Sequence, residues 1–251
     1  ATKEFNPDVV YFDYYFYGQY IDLFKKMAFP VIYGTHNAQA QLILQRPSIS
    51  LRNKISNYLE YNIYRYHERK YFPKADALIA VSEQDLRYYK QFINVSRLHL
   101  IPNFISIDEY VPYHLNGKEK ENYIIMTGNF YAYQNAAGLQ WFLEKVWDKK
   151  LSDITKLKLA GTFSKEILKK LNIYKNYKNI EALGVVENIK PIIAKAKASI
   201  VPLLHGSGTR LKCIEAMALK TQIISTSKGA EGINHNGSII IDDEANNFRN
   251  C

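Results

Sequence analysis

Residues 203–218 combine a glycine-rich turn with cationic side chains, a pattern suited to binding an anion. Gly206 and Gly208 would let the backbone approach a ligand closely, and the N–H groups that follow would form an anion site at the start of a helix. Arg210 and Lys212 would suit a diphosphate, because a guanidinium is a planar fork and an ammonium is a point charge. We therefore expect a phosphate-bearing ligand at this turn.

A helix is predicted over 209–220, and its sequence contains charged residues in an apolar setting. Lys212 and Glu215 are spaced i, i+3, so they project on one side about a turn apart. A buried charge needs a partner. Either the two residues form an ion pair at a residual solvent edge, or they face a cleft and hold a ligand. The helix is expected to be buried on nearly all sides because of its apolar members Leu211, Cys213, Ile214, Ala216, Met217, Ala218 and Leu219.

Strands and helices alternate along the chain, and these elements must position the charged residues. Short β-branched runs predict strands at 8–14, 30–34, 76–82, 98–102, 123–127, 156–160, 179–183, 198–203, 221–225 and 238–242. Apolar residues at spacings of three and four predict helices at 49–71, 136–149, 164–172, 187–196 and 209–220. Ser82 and Asp85 predict a capping box that opens a further helix. This alternation is typical of α/β folds with a doubly wound parallel sheet.

The chain is predicted to form two α/β domains. Residues 1–105 form the first domain and residues 122–251 the second, while 106–121 match neither period and predict a linker. Open parallel sheets bind ligands beyond the carboxyl ends of their strands. We therefore expect the chemistry in the loops at 33–37, 127–130, 160–162, 204–209 and 226–232.

The stretch Gly206–Ala218, with Ile223–Thr226 and Gly229–Gly232 after it, resembles the donor site of glycosyltransferase family 4. Members are retaining, nucleotide-sugar-dependent enzymes with the GT-B fold, so the resemblance implies two Rossmann-like domains facing a cleft. The resemblance spans nearly the whole chain, because other stretches fit as well: Thr127-Gly-Asn129 with Asn135, Gly184-Val-Val-Glu187, Ala75–Ser82 and Ile101-Pro-Asn103.

The resemblance also implies roles for particular residues. Glu215 would bind the donor ribose hydroxyls, and Arg210 and Lys212 would neutralise the donor diphosphate. His36 would lie near the acceptor, although a lone histidine is otherwise more often a hydrogen-bonded structural residue. These four residues form the expected catalytic set. The expected donor-binding set is Gly128, Asn129, Gly206, Ser207, Gly208, Thr209 and Glu231.

The sequence departs from the family pattern at two places. Ser207 stands where the family's Glu-x7-Glu pattern has its first carboxylate, which leaves the donor sugar open. The loop 128–135 lacks the basic pair that many members carry, so Arg210 and Lys212 would take the phosphate role. Members also have a strand-and-helix region before Asp8 and a C-terminal helix. We therefore expect a partial N-terminal domain and a chain trimmed at both ends.

The reaction implied by the resemblance is sugar transfer from a nucleotide-diphosphate sugar to a glycan or lipid-linked acceptor, in cell-surface polysaccharide synthesis. Configuration would be retained, and the leaving phosphate would accept the proton of the acceptor. No cofactor or metal is expected. The sequence contains neither an Asp-x-Asp pair beside a strand end nor a His and Cys cluster with ligand spacing.

Composition narrows the class of protein. The 251 residues are 47% hydrophobic with 12 Gly and 8 Pro, which excludes disordered and collagen-like chains. Two cysteines are too few for a disulfide framework, and no apolar run reaches the length of a spanning helix. We therefore expect a cytoplasmic protein, and a peripheral position at the inner face of the membrane is a further hypothesis.

The charge of +9 raises nucleic-acid binding as another class, but the excess is spread and no reading helix, RNP-like strand or zinc knuckle is present. We therefore expect no nucleic-acid partner. Two alternatives keep the GT-B fold. One is a sugar-nucleotide epimerase or phosphorylase. The other is a nonproductive fragment that binds a sugar nucleotide.

The segment 46–74 is basic and aromatic, and two interpretations of it remain open. It could bind an anionic membrane surface, where lipid-linked acceptors are found. Alternatively it is a packed helix whose apolar stripe faces the core, namely Leu51, Ile55, Leu59 and Ile63. The cations concerned are Arg46, Arg52, Lys54, Arg65, Arg69, Lys70 and Lys74, interleaved with Tyr58, Tyr61, Tyr64, Tyr66, Tyr71 and Phe72.

Overall fold

The structure, a computed structural model, describes residues 5–13, 15–46, 51–171, 178–206 and 210–251. The chain separates into two compact units, with the boundary between Asn103 and Phe104. Of the expected site residues, Ser207, Gly208 and Thr209 lie outside the described residues.

The first unit is built on a 4-stranded parallel sheet in the order β1-β2-β3-β4. Each predicted strand region of this unit contains one of these strands, shorter than predicted at its ends. The strands are β1 (Val10–Phe12), β2 (Val31–Gly34), β3 (Ala77–Ala80) and β4 (Leu98–Leu100). The helices are α1 (Ile21–Lys26), α2 (Gln39–Leu44), α3 (Leu51–Tyr71) and α4 (Glu83–Tyr89), with a 3-10 helix at Tyr15–Tyr20.

The start of α4 confirms the predicted cap. Ser82 Oγ accepts a hydrogen bond from the Asp85 N–H at 3.1 Å, and it donates to Asp85 Oδ2 at 2.5 Å. The core of the unit is rich in aromatic rings, and the centroids of Tyr33 and Phe72 lie 4.4 Å apart. Both side chains are buried between the sheet and the helices.

Helix α3 packs through a different face from the one that its aliphatic stripe indicates. Tyr61, Tyr64 and Tyr71 lie against the core, and Glu68 is buried. These positions are three or four residues apart, so they form one face of the helix. The aliphatic stripe is exposed, from 53% at Ile55 to 73% at Leu51. The interpretation in which Leu51, Ile55, Leu59 and Ile63 face the core is therefore wrong.

The second unit is a 6-stranded sheet in the order β10-β9-β8-β5-β6-β7, and all of its pairs are parallel. The strand order reverses between β5 and β8, which makes that boundary the topological switch point of the sheet. The strands are β5 (Glu121–Thr127), β6 (Lys156–Ala160), β7 (Ile180–Gly184), β8 (Ala196–Val201), β9 (Gln222–Ser225) and β10 (Ile239–Ile241).

Both faces of this sheet are packed. Ile125 and Met126 are neighbours on β5 and point to opposite faces, and they belong to separate core clusters. Cys213 and Ala216 join the first cluster, and Leu139 joins the second. The predicted doubly wound α/β architecture is thus confirmed. The helices are α5 (Tyr133–Trp141), α6 (Lys149–Ile154), α7 (Ser164–Leu171), α8 (Lys190–Lys195), α9 (Leu211–Ala218) and α10 (Ala245–Asn250).

The helix predicted at 136–149 is divided in the structure. Helix α5 continues as a π-helical turn at Phe142–Val146, and α6 then begins anew. The side chain of Asp148 accepts from the Leu151 N–H at 2.8 Å, so it caps the new helix. A polar capping residue within an apolar pattern explains the break.

The segment predicted as a linker contains short 3-10 helices at Ile107–Glu109 and Val111–Tyr113. Tyr110 between them is buried in the core of the second unit. Farther along, the Lys120 ammonium donates to Ala194 O at 2.5 Å and to Thr221 Oγ1 at 3.0 Å. These contacts attach the segment to the ends of α8 and α9.

Candidate functional site

The switch point of the second unit brings several expected site residues to one end of the sheet. Strands β5 and β8 pair side by side, with Ile125 opposite Ser199. The loop at Gly128 and Asn129 follows β5, and the loop that includes Gly206 follows β8. A ligand bound at this end of the sheet would therefore contact both loops.

Lys212 of α9 binds residues on both sides of the loop after β5. Its Nζ donates to Thr127 O at 2.7 Å and to Asn135 Oδ1 at 2.8 Å. Burial lowers the pKa of the Lys212 ammonium to about 8. Asn135 also donates from Nδ2 to Asn129 O at 2.9 Å, so one amide side chain supports both the cation and the β5 loop. The result is a desolvated cation whose oxygen partners carry no formal charge.

The β5 loop leaves no room for side chains beside this cation. Gly128 has φ of 147°, and a Cβ there would lie 3.0 Å from Lys212 Nζ. A Cβ on Gly161 would lie 2.1 Å from Gly128 O. Glycine at both positions therefore permits close packing of two loops next to the Lys212 ammonium. Asn129 holds the backbone of the same loop, since its Oδ1 accepts from the Tyr131 N–H at 3.0 Å.

Arg210 lies at the N-cap position of α9 and is 8% exposed. Gly206 has φ of 116°, and a Cβ there would lie 3.0 Å from Arg210 Nη2. The glycine therefore makes space for the guanidinium. Burial is the main cause of the lowered pKa of Lys212, and the positive charge of Arg210 lowers that pKa further.

Glu215 lies one turn after Lys212, but the two side chains have different partners. Glu215 Oε1 accepts a hydrogen bond from the Tyr110 hydroxyl at 3.3 Å. Burial raises the pKa of the Glu215 carboxyl, and the hydrogen bond from Tyr110 opposes that shift. The ring of Tyr110 also lies 4.6 Å from Lys190 Nζ. Our sequence analysis did not identify Tyr110 as a functional residue.

Helix α9 is less buried than expected. Cys213, Ala216 and Leu219 are buried on one face, but Leu211 is 45% exposed. The prediction that α9 is buried on nearly all sides is therefore wrong at its first turn. The three buried positions recur every three residues, so a single face packs against the sheet.

Glu231 lies in the loop after β9 and forms an ion pair. Lys228 Nζ is 2.9 Å from Glu231 Oε1 and 2.8 Å from Oε2. An open depression of about 400 Å³ lies beside this pair. Its walls combine charged and apolar side chains: Leu203, Leu204, Ser227, Lys228, Glu231 and Asp243.

His36 belongs to the first unit, whereas Arg210, Lys212 and Glu215 belong to the second. It follows β2 and is exposed, and its Nε2 lies 2.8 Å from Asp13 O and 3.3 Å from Asp13 Oδ1. A small cavity of about 20 Å³ lies against this turn and is lined by Tyr33, Thr35, His36 and Gln39, among others.

Within the described part of the chain, no group of three or more His, Cys, Asp or Glu side chains is placed to hold a metal ion. The same residues contain no helix that is both long and apolar enough to cross a membrane.

Solved glycosyltransferase structures share this fold. WaaG, a glycosyltransferase involved in lipopolysaccharide biosynthesis, matches with a TM-score of 0.65 at 14% identity over 99% of this chain and 69% of its own. HepE of Anabaena, solved in complex with UDP and glucose, matches with a TM-score of 0.70 at 14% identity over 100% of this chain and 70% of its own. The GT-B fold expected from the sequence is thereby confirmed.

Two family descriptions match the chain in consecutive parts. Glycosyltransferase Family 4 matches residues 1–109, and Glycosyl transferases group 1 matches residues 121–250. The chain belongs to this glycosyltransferase family, as the sequence resemblance indicated.

Two curated relatives are similar over most of the chain. A 44.6 kDa protein in the cps region of Klebsiella pneumoniae is 27% identical over 76% of this chain and 50% of its own length. An alpha-1,4-N-acetyl-D-galactosaminyltransferase of Campylobacter jejuni is 29% identical over 82% of this chain and 57% of its own. Its name includes GalNAc-alpha-(1->4)-GalNAc-alpha-(1->3)-diNAcBac-PP-undecaprenol. The chain thus spans about half the length of these relatives.

Proposed function

We propose that this chain transfers a sugar, with retention, from a nucleotide-diphosphate sugar to a glycan or lipid-linked acceptor in cell-surface polysaccharide synthesis. The observation that carries the proposal is the partly buried Lys212 ammonium at the switch point, held by Thr127 O and Asn135 Oδ1 beside two close-packed glycine loops. Residues 122–251 would supply the donor side, residues 1–105 the acceptor side and residues 106–121 the linker.

Lys212 and Arg210 are proposed to stabilise the charge that grows on the departing diphosphate. Fixed positive groups aimed at such charge are worth roughly 3 kcal/mol each. Burial lowers the pKa of Lys212 to about 8 in the free protein, so the ammonium is mostly charged at neutral pH. An anionic diphosphate beside it would favour the charged form further. The leaving phosphate would then accept the acceptor's proton, without a protein base.

Glu215 is proposed to bind the ribose hydroxyls of the donor. Its Oε1 is already engaged by Tyr110, which leaves Oε2 as an acceptor for a hydroxyl. Gly128, Asn129 and Gly206 would contribute backbone groups around the phosphates. Ser207, Gly208 and Thr209 keep their proposed donor-binding role, and Glu231 would contact the donor from the loop after β9.

The structure of HepE with UDP and glucose makes a UDP-sugar the first donor to test. Thermal shift across UDP-, GDP- and ADP-sugars should show stabilisation by one nucleotide class, and Glu215→Ala should remove it. Lys197→Met, which changes an exposed lysine of the same sheet, serves as the matched control. Stabilisation only by oligonucleotides, or unchanged turnover of Glu215→Ala, would contradict the proposal. Because side-chain cations supply the positive charge, EDTA should leave transfer unchanged.

The exposed stripe of α3 is proposed to bind an anionic membrane surface, which would place the protein at the inner face of the membrane. The stripe is accompanied on α3 by the cations Arg52, Lys54, Arg65, Arg69 and Lys70. Exposed apolar side chains next to cations fit anionic lipid headgroups. The name of the Campylobacter jejuni relative contains an undecaprenol-linked glycan, which agrees with a membrane-borne acceptor.

Co-sedimentation with phosphatidylcholine vesicles, with and without phosphatidylglycerol, tests the membrane surface. The chain should pellet with the anionic vesicles, and Leu59→Ser with Ile63→Ser should abolish this. Val185→Ser removes an even more exposed apolar side chain from the second unit and should have no effect. Equal binding to both vesicle types, or unchanged binding of the double variant, would exclude α3 as the contact.

A further inference from the structure

The turn that carries His36 runs directly into α2, and the first N–H groups of this helix are capped by distant carboxylates. The N-cap residue is Ala38, which has no side-chain acceptor. Instead, the Ala38 N–H donates to Asp85 Oδ1 at 2.8 Å, and the Ala40 N–H donates to Glu68 Oε1 at 3.3 Å. The backbone of Gln39 also helps to lower the pKa of Glu68, against the larger effect of burial. Two helices, α3 and α4, therefore cap a third.

The two carboxylates are themselves fixed in place. Glu68 and Asp85 are both 0% exposed. The Tyr88 hydroxyl donates to Glu68 Oε2 at 2.6 Å, and Ser82 Oγ donates to Asp85 Oδ2 at 2.5 Å. Both oxygens of each carboxylate are thus hydrogen-bonded, which is the condition under which a buried charge is tolerated.

Other contacts hold the remaining backbone of the turn. The Thr35 N–H and its Oγ1 both donate to Ile79 O, at 3.0 and 2.9 Å. The Tyr89 hydroxyl donates to Asn37 O at 3.0 Å. His36 lies between these two anchored residues. The backbone on either side of His36 is therefore attached to β3 and α4, while its ring is exposed.

A local cap would stabilise α2 at a smaller desolvation cost. A serine or aspartate at position 38 would satisfy the same N–H groups near the surface, typically for about 1 kcal/mol. Burying two carboxylates costs several kcal/mol before their hydrogen bonds offset it. Unlike a local cap, the buried pair fixes the position of the start of α2 relative to both α3 and α4.

We propose that Glu68 and Asp85 are positioning residues that hold the turn Thr35–Ala40 in one conformation and so orient His36. This proposal rests on the proposed function, in which His36 serves the acceptor. Both carboxylates act through the backbone of the turn, where Asp85 accepts from the Ala38 N–H and Glu68 accepts from the Ala40 N–H.

We call Glu68 and Asp85 together the clamp. Amide hydrogen exchange in the full chain tests it directly. Asp85→Ala should speed exchange of the Ala38 N–H by about tenfold or more, and Glu68→Met should do so for Gln39 and Ala40. The matched control is Asp76→Ala, because Asp76 Oδ2 accepts from the Val31 N–H at 2.8 Å at the opposite end of β2. The control should affect Val31 and leave Ala38 and Ala40 unchanged. Unchanged exchange at Ala38 and Ala40 in the clamp variants would overturn the proposal.

The imidazole signals of His36, assigned by their loss in His36→Gln, report the orientation of the ring. Asp85→Ala and Glu68→Met should shift these signals, whereas Asp85→Asn and Glu68→Gln should restore them because an amide oxygen replaces the accepting carboxylate oxygen. If Glu68→Met unfolds, Tyr88→Phe replaces it, because it removes only the hydroxyl that donates to Glu68 Oε2 and should shift the same signals. His36 signals identical in all four variants would contradict a positioning role.

Transfer kinetics separate this proposal from the proposed function. Donor-induced thermal shifts should be equal in wild type and clamp variants, while kcat/KM for the acceptor falls in the clamp variants. If wild type binds and transfers no nucleotide sugar, the proposed function fails, and exchange and imidazole signals still decide the clamp. If wild type transfers and the clamp variants match it in acceptor KM and kcat, the positioning role is wrong.

Discussion

Each unit contains a charged group withdrawn from solvent, fully for Glu68 and partly for Lys212, and the surroundings of the two groups separate a binding site from a scaffold. In the second unit, Lys212 is held by a backbone carbonyl and an amide oxygen, which carry no formal charge. In the first unit, Glu68 is surrounded by donors that serve the fold itself, namely backbone N–H groups and the Tyr88 hydroxyl. Both sets of partners are uncharged, so the difference lies in position: the cation is at the switch point, where open parallel sheets bind ligands, whereas the carboxylate caps a helix.

Burial shifts the pKa values of the two groups in opposite directions, and each shift favours the neutral form. It lowers the pKa of Lys212 to about 8 and raises the pKa of Glu68 to about 7. In both cases the charged form loses solvation. The difference lies in what would restore it, because an incoming anion can stabilise Lys212, while Glu68 has no comparable ligand in the proposed function.

The largest effect should come from removing the cation. Lys212→Met should lower kcat/KM for transfer by roughly 10²–10³, because a preorganised charge next to the leaving group is lost. Steady-state kinetics with the donor found by thermal shift measure this, and Lys197→Met should retain wild-type rates. A loss of less than a few-fold would mean that Lys212 is structural, and the contrast between the units would disappear.

The second largest effect concerns the free energy of unfolding and the titration of Glu68. The pKa of Glu68 in the folded chain, about 7, lies above its ordinary value of 4.5, so its contribution is complete below pH 4.5 and is lost as pH rises through 7. Glu68→Gln does not titrate, so its stability relative to wild type should increase by roughly 3 kcal/mol between pH 4 and 8. Urea unfolding at several pH values measures the difference. A difference that does not change with pH would contradict a raised pKa.

A third test uses the pH dependence of donor binding. Because the pKa of Lys212 is lowered to about 8, the free protein loses this proton above pH 8, and donor affinity should then fall by about tenfold per pH unit. The arginine of Lys212→Arg should stay charged, so donor affinity should no longer fall above pH 8. Calorimetric titration between pH 6 and 10 gives the profile. Identical profiles for wild type and Lys212→Arg would assign the titration to another group.

The smallest effect should come from Tyr110→Phe, which removes only the hydroxyl that donates to Glu215. We expect the donor KM to rise about two- to fivefold with little change in kcat, since one hydrogen bond contributes roughly 0.5–1 kcal/mol. Tyr113→Phe, which removes the hydroxyl that accepts from Asn188, is the matched control and should leave the donor KM unchanged. An equal rise of the donor KM in both variants would indicate a general loss of packing and not a specific role of the Tyr110 hydroxyl.

Local signals in the sequence predicted much of the fold. Strand-forming runs, the span of α3 and the cap at Ser82 depend on residues near one another in the chain, and the structure confirms them. The contacts of the site could not be predicted in this way. Asn135 is 77 positions from Lys212, and Tyr110 is 105 positions from Glu215, so packing of the whole unit brings them together.

The two incorrect burial predictions have a common physical cause. Both α3 and α9 have more apolar positions than one packing face can cover. Tyr61 and Tyr64 occupy the packed face of α3, so Leu59 and Ile63 are left exposed. In α9, the face at Cys213 and Ala216 is buried and Leu211 is not. Apolar spacing predicts that a face exists, and the neighbouring elements decide which face is covered.

The backbone contact between Gly161 and Gly128 has a consequence for protein engineering. Any side chain at 161 would collide with the carbonyl of Gly128, so the two loops cannot be diversified independently. A library intended to change donor preference should keep both glycines and vary exposed neighbours such as Tyr131 and Val185. A side chain at either glycine would also displace the loop beside Lys212.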